Sequence, residues 1–188
     1  MKKKPITIGF DDATFSLKSN VKTTRLIGVT CQGTRLVNVR SRDIEIDGDD
    51  ATKNLIELVL MSEKHIQYIL TDTITFGGFN IVDIQKIHEE TRKPIIAITE
   101  REVDLESVRI ALNKKFPSSY QKKFQYIVNA GNLYQTDIPT AGGVSKVYFH
   151  AIGIEIEEVE LLLKNLCVDS KIPEPVRIAH LIGKMFNT

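Results

Sequence analysis

The sequence predicts an α/β protein built on a mixed sheet, with a hairpin beside parallel strands and helices on both faces. Three observations lead there. An early pair of β-rich segments is joined by a Gln32-Gly33 turn signal. Two short apolar runs, Ile66 to Leu70 and "PIIAIT" from Pro94, show no polar alternation, as expected of strands covered on both sides. Between and after these runs, apolar residues recur at helical spacing. A hairpin followed by parallel strands with crossover helices makes such a sheet, with one antiparallel edge.

Taken in order, Pro5 to Phe10 reads as a strand that ends in Asp11-Asp12. Arg25 to Cys31 and Thr34 to Arg40 form the hairpin, and extended chain continues through Ile44 and Ile46 to Asp47. Asp47-Gly48-Asp49-Asp50 breaks it. The next helix buries Leu55, Leu58 and Val59, with Asp50 as its N-cap. After the Ile66 strand, Phe76 to Asn80 is a loop, and Ile81, Ile84 and His88 mark a helix face. Leu105, Val108, Leu112 and Phe116 mark another. Phe124 to Val128 reads as a strand, "AGGVSKVYFHAIGI" holds a further one, and Ile156, Val159 and Leu163 begin a helix. A closing helix has Pro175 in its first turn and Ile178, Leu181, Ile182 and Met185 on its apolar face. No internal repeat or linker interrupts the 188 residues, which read as one domain spanning 1–188.

Composition narrows the function classes. Apolar residues are 42% and charged residues 26%, the balance of an ordinary globular chain. A formal charge of +1 neither demands nor excludes nucleic acid, because a basic face can coexist with a neutral total. Cys31 and Cys167 are the two cysteines and lack zinc-site spacing; they suit a reduced, cytoplasmic setting. No apolar run reaches the roughly 18 residues of a membrane span.

The carboxylates carry the chemical signal. An aspartate at the end of an apolar strand is costly unless something compensates it. Asp11 and Asp72 each occupy such a position, at the carboxyl ends where open α/β sheets bind ligands. On neighbouring parallel strands, about 4.8 Å apart, they converge. A divalent cation between them relieves their repulsion, and oxygen ligands favour Mg²⁺ or Mn²⁺. Asp47 is the candidate third carboxylate and Asp50 the reserve. Such a set activates water and assists in-line displacement at phosphorus.

Other residues read both ways. Asp47 also suits a turn, and Asp50 a plain cap. Asp12 suits a turn or a supporting role, and Asp49 the surface. Gly77-Gly78 suits a phosphate cradle or a tight turn. His88 and His180 read as structural or surface residues, and His150 is ambiguous. Arg40, Arg42, Arg101 and Lys122-Lys123 are candidates to border the carboxylates. Phe76 or Phe79 could stack on a base, or both could pack in the core. These features also leave open a metal-dependent phosphatase or nucleotide hydrolase, and a non-enzymatic nucleic-acid-binding protein.

The segments "IGFDDATF", "IEIDGDDAT", "TDTITFGGFNIVDI" and "IPEPVRIAHLI" together resemble the archaeal endonuclease V-like proteins, across nearly the whole chain from Ile8 to Leu181. The resemblance implies a ribonuclease H-like fold and metal-dependent nicking of nucleic acid, DNA in preference to RNA, near a deaminated base. Deoxyuridine is the implied target for this branch, and inosine for endonuclease V itself. Asp11 matches that family's first-strand aspartate, Asp72 the aspartate of its Val-Asp-Gly motif, and Asp47-Gly48 stands where it has Glu-Gly. Apart from the resemblance, the loop Thr75, Phe76, Gly77, Gly78, Phe79 and Asn80 is the expected substrate contact on which lesion choice depends. The Tyr-Ile-Pro wedge is not visible before Asp47. Thr99-Glu100-Arg101 replaces the lysine expected after "PIIAI", with Arg101 as the substitute charge.

Overall fold

A computed structural model describes residues 4–16, 20–62, 65–99 and 104–186. The first strand, β1 (Ile6–Asp12), is followed by the hairpin of β2 (Thr23–Gln32) and β3 (Arg35–Glu45), then by α1 (Ala51–Met61) and β4 (Tyr68–Asp72). The short strands β5 (Thr75–Phe76) and β6 (Asn80–Ile81) pair with each other, and α2 (Ile84–Thr91) and β7 (Ile95–Thr99) follow. Next come α3 (Leu105–Lys115), α4 (Tyr120–Asn129), β8 (Tyr134–Thr140), β9 (Gly143–Ile152), α5 (Ile156–Leu166) and α6 (Glu174–Gly183).

Seven strands form one mixed sheet in the order β3-β2-β1-β4-β7-β9-β8. β1, β4 and β7 are parallel neighbours at its centre, and β2 runs antiparallel to β1. This is the arrangement expected from the hairpin and the two apolar runs. The sheet has two antiparallel edges instead of one, because β9 pairs antiparallel with β7 and carries β8 outside it. Helices cover both faces. Leu55, Ile87, Leu112 and Ile127 place α1 to α4 over one core, while α5 and α6 close the other face through Val159, Leu163, Val176 and Ala179.

Several local expectations give way to packing. Phe124 to Val128 lies inside helix α4, not in a strand. The deciding period runs from Tyr120 through Lys123 and Phe124 to Ile127, which is helical, and three consecutive apolar residues within it mimic a strand. The hairpin turn is Gly33-Thr34, one residue later than its signal, since Gln32 pairs with Arg35; Gly33 takes a φ of 61°. Asp50 stands at the N-cap of α1 but makes no capping bond. The Ala51 N–H donates to Asn80 Oδ1 instead. On α6 the buried face is Pro175, Val176, Ala179 and Gly183, while Leu181 is exposed and Met185 lies exposed beyond the helix end.

That face of α6 is narrow and small for a reason. A Cβ at Gly9 of β1 would lie 2.5 Å from the Pro175 carbonyl carbon and 2.5 Å from the Val176 nitrogen. A Cβ at Gly183 would lie 2.7 Å from the Asp12 carbonyl oxygen. Helix and strand therefore meet backbone to backbone at both ends of the contact. Gly9→Ala should lose about 1 to 3 kcal/mol of stability, the usual cost of overpacking a filled contact. Urea unfolding of the variant checks this, and an unchanged midpoint would show that α6 does not need the glycine.

Candidate metal centre and adjoining cavity

Strand register builds the centre. Phe10 lies beside Thr71 in the parallel β1–β4 pair, which sets Asp11 next to Asp72 at the carboxyl ends of both strands. The period of two then sorts the aspartates. Phe10 faces the α1 side, so Asp11 faces α6 and Asp12 faces back towards the β5–β6 loop. His180 of α6 completes the group, its Nδ1 lying 2.7 Å from Asp11 Oδ2. One ligand atom from each of Asp11, Asp72 and His180 falls within 4.8 Å of the others. This is the one group of three or more such side chains among the described residues that could hold a metal ion.

Asp11 is 5% exposed. Burial pushes its carboxyl up to about 8, the charges of Asp72 and Asp12 push the same way, and the Asp12 N–H donating to Asp11 Oδ1 at 2.8 Å pulls back. Asp12 is raised too, mainly by burial, and restrained by the Gly77 N–H that donates to its Oδ2 at 2.6 Å. Two carboxylates and an imidazole that converge on one partly buried point fit a divalent ion, whose charge would relieve the repulsion between Asp11 and Asp72. The two carboxylates suit Mg²⁺ or Mn²⁺, whereas the imidazole, if it ligates, favours Mn²⁺ or a later transition metal over Mg²⁺.

The other acidic candidates are engaged elsewhere. Asp47 lies just beyond β3 with φ 60°. Its Oδ1 accepts from the Phe79 N–H at 2.9 Å, and its Oδ2 pairs with Lys115 Nζ at 2.6 Å. Asp50 Oδ1 accepts from the Glu45 N–H and from Asn80 Nδ2, and Asn54 Nδ2 donates to its Oδ2. Asp49 pairs with Lys122 and Lys123. Lys123, 2% exposed, also donates to the carbonyls of Gly48 and Phe79, at 2.6 Å and 2.9 Å. Arg42 pairs with Glu57 of α1, on the face opposite Asp11, and Arg40 shares that face by strand alternation. Arg101 lies outside the described residues.

The glycine loop is a clamp for the protein's own carboxylates. Gly77 and Gly78 have φ values of 49° and 83°, so they make a tight turn, and the N–H groups of Gly77 and Phe79 go to Asp12 and Asp47. A phosphate cradle at these amides is therefore not what the loop forms. Phe76 is in the core and Asn80 is fully buried. Thr75 and Phe79 remain available: both line a cavity of about 640 Å³, with Thr73, Val108, Ile127 and His150 among its other walls. The cavity begins one residue after Asp72, where Thr73 has a φ of 89° and its carbonyl accepts from the Thr71 hydroxyl at 2.6 Å. A β-branched residue in that conformation is strained, and such strain clusters at functional sites.

With this geometry established, comparison with known proteins supplies the family. Residues 5–187 match the family described as "Endonuclease dU". The chain belongs to that family. A UPF0215 protein of Thermococcus sibiricus is 39% identical over 180 residues, covering 94% of this chain and 89% of its own. One from Methanocaldococcus jannaschii is 35% identical over 190 residues, covering 99% and 96%. A crystal structure of a protein of unknown function from Archaeoglobus fulgidus matches with a TM-score of 0.82 at 30% identity, over 96% of each chain. Ciona intestinalis endonuclease V, crystallised with a 24mer DNA containing an inosine followed by a ribo-adenosine, matches with a TM-score of 0.59 at 13% identity, over 94% and 83%. The fold is thus the ribonuclease H-like fold of endonuclease V, in an archaeal endonuclease V-like family.

His180 is the residue that sequence reasoning passed over. A lone histidine on an amphipathic helix carries no pattern of its own, and its partner is 169 positions away. The one signal was its place inside "IPEPVRIAHLI".

Two expected outcomes follow from the electrostatics. The folded-state pKa of Asp11 is raised above its unfolded value, so ionising it destabilises the metal-free fold. Below about pH 4 both states hold the proton and the effect vanishes; it grows as pH rises towards about 8. Asp11→Asn should therefore raise the melting temperature in EDTA by more at pH 8 than at pH 5, and a gain that does not change with pH would contradict the buried-acid reading. Lys123→Met should cost roughly 1 to 3 kcal/mol, because it strands buried carbonyls. Asp49→Asn should cost much less, as measured by the same melts.

Proposed function

We propose that this protein is a metal-dependent endonuclease that cleaves nucleic acid at or near a deaminated base, deoxyuridine or deoxyinosine, in DNA repair. The observation that carries the reading is the convergence of Asp11, Asp72 and His180 within 4.8 Å at the carboxyl ends of two adjacent parallel strands. A protein that merely binds nucleic acid has no use for two half-dry carboxylates pressed together. A phosphatase acting on small phosphates would need its pocket at those carboxylates, whereas the cavity opens towards α3 and α4 and its walls are largely apolar. Membership of the endonuclease dU family supports a nuclease, and deoxyuridine as its lesion. The likeness to an endonuclease V crystallised with an inosine-containing DNA supports nucleic acid as the partner, and we take DNA as the substrate in preference to RNA. We place the activity in the cytoplasm and in one domain spanning 1–188. No helix among the described residues is long and apolar enough to cross a membrane.

In this scheme Asp11 and Asp72 would hold Mg²⁺ or Mn²⁺, with His180 as a third ligand or as the partner that orients Asp11. Bound there, the ion would supply water activation and charge screening at phosphorus. Asp12, fixed by Gly77, keeps the β5–β6 loop against the centre. The cavity receives a base turned out of the helix, with the edge of Phe79 and the Thr73 and Thr75 hydroxyls around it. Cluster and cavity lie to either side of the chain at Asp72-Thr73. The phosphate that reaches the centre is therefore a neighbour of the base being read.

The test is a cleavage screen of oligonucleotides carrying uracil, hypoxanthine or no lesion, with Mg²⁺, Mn²⁺ or EDTA. Lesion-dependent nicking is expected with the metals and none with EDTA. Asp11→Asn and Asp72→Asn should abolish nicking while binding is kept or slightly strengthened, since a charge repelling phosphate is removed. His180→Ala should lose about 10- to 100-fold, as is usual when a group beside a metal is deleted. Full metal-dependent nicking by Asp72→Asn, in a preparation free of host nuclease, would remove Asp72 from the centre.

A further inference from the structure

The cavity has an apolar body and few polar groups, so those few decide what it accepts. His150 is the one imidazole among them. Val147 and Phe149 of β9 pack under α5, so alternation turns His150 to the opposite face, where it lies beside Ala97 of β7. Its Nδ1 is 3.1 Å from the Asn132 carbonyl oxygen. A carbonyl oxygen only accepts, so Nδ1 carries the proton. In the neutral ring Nε2 is then a bare acceptor. Burial holds His150 below its usual pKa and so favours the neutral ring, against the opposing pull of the carbonyls of Asn132, Gly131 and Ala130 at the end of α4.

Deamination changes a base in the respect that such an acceptor can sense. Cytosine presents a bare ring nitrogen at N3, and adenine presents one at N1. Uracil and hypoxanthine present an N–H at the same positions. We propose that His150 is a specificity-determining residue, whose Nε2 accepts a hydrogen bond from the imide or lactam N–H of a deaminated base lying in the cavity. The proposal rests on the reading of the cavity as a base pocket. Against cytosine or adenine, Nε2 would face another lone pair, and two buried acceptors would be left unpaired.

The probes are oligonucleotides containing deoxyuridine, N3-methyl-deoxyuridine or deoxycytidine, cleaved at pH 8 with Mn²⁺. The wild-type chain should favour deoxyuridine over N3-methyl-deoxyuridine by roughly 10- to 100-fold in kcat/KM, the worth of one buried hydrogen bond. His150→Leu, which removes the acceptor and keeps the apolar wall, should lower kcat/KM for deoxyuridine and shrink both preferences to a few-fold. Its circular dichroism and melting temperature establish that it is folded. The wild-type comparison stands without any variant, so a His150→Leu chain that fails to fold does not protect the idea. If the wild-type chain cleaves deoxyuridine and its N3-methyl form equally, or if folded His150→Leu keeps the full preference, the assignment of His150 is overturned. If the wild-type chain cuts all three substrates and an undamaged strand alike, it is the base-pocket reading that fails.

Discussion

The seat of α6 on β1 is the constraint on which the centre depends. Asp11 comes from the first strand of the chain and His180 from its last helix, and nothing local brings them together. What does so is a backbone-to-backbone contact at Gly9 and Gly183, the two places where any side chain would collide with the opposite main chain. Pro175 starts the helix at the close-contact point, and Val176, Ala179 and Gly183 keep the buried stripe thin. A larger stripe would be more hydrophobic and more stabilising in isolation. It would also hold the imidazole too far from the carboxylate to share a hydrogen bond or an ion with it. Sequence economy in the helix thus serves distance at the site.

A second economy governs the remaining acids. The turn that follows β3 and the loop that follows β5 bring Asp47, Asp49 and Asp50 close to the same end of the sheet. Left uncompensated, they would compete with Asp11 and Asp72 for any cation. Each instead has an internal partner: Lys115 and the Phe79 N–H for Asp47, the two adjacent lysines for Asp49, and amides for Asp50. Lys115 also lies over the Phe79 ring, at 5.0 Å from its centre, so the pair that neutralises Asp47 fixes one wall of the cavity. Buried charge that is paired and hydrogen-bonded is tolerated. Among the described residues, Asp11, Asp72 and His180 are the one group whose ligand atoms converge closely enough to share an ion.

The same distinction explains what was legible from the amino-acid sequence. β1, the hairpin, β4 and β7 were legible because burial on one or both faces writes itself directly into strand composition. Asp11 and Asp72 were legible because a carboxylate at the end of such a strand breaks that composition. Helix α4 was not, because its buried positions include Lys123, whose long side chain disguises a core position as a surface one. The partners of Asp47 and Asp50 were not legible either. A short run of aspartates looks the same whether it holds an ion or is satisfied by amides, some of them about thirty positions away, and by lysines of α3 and α4 more than sixty positions away. His180 shows the converse case, in which a residue with an ordinary helical setting gains its chemistry only from a neighbour at the other end of the chain.

The cavity and the acidic centre occupy opposite sides of one strand end, and that separation has a consequence for any ligand spanning both. Asp72 turns towards α6 and Thr73 opens towards α3 and α4, so a single peptide unit divides the two environments. One is partly buried and acidic, suited to a cation. The other is apolar with a few fixed polar groups, suited to a flat ring. The positive φ of Thr73, held by the Thr71 hydroxyl, makes the sharp division possible. On the proposed reading, this strained residue couples recognition to chemistry: the base pocket forms only if the chain turns there, and the same turn leaves Asp72 pointing at its partner across the strand.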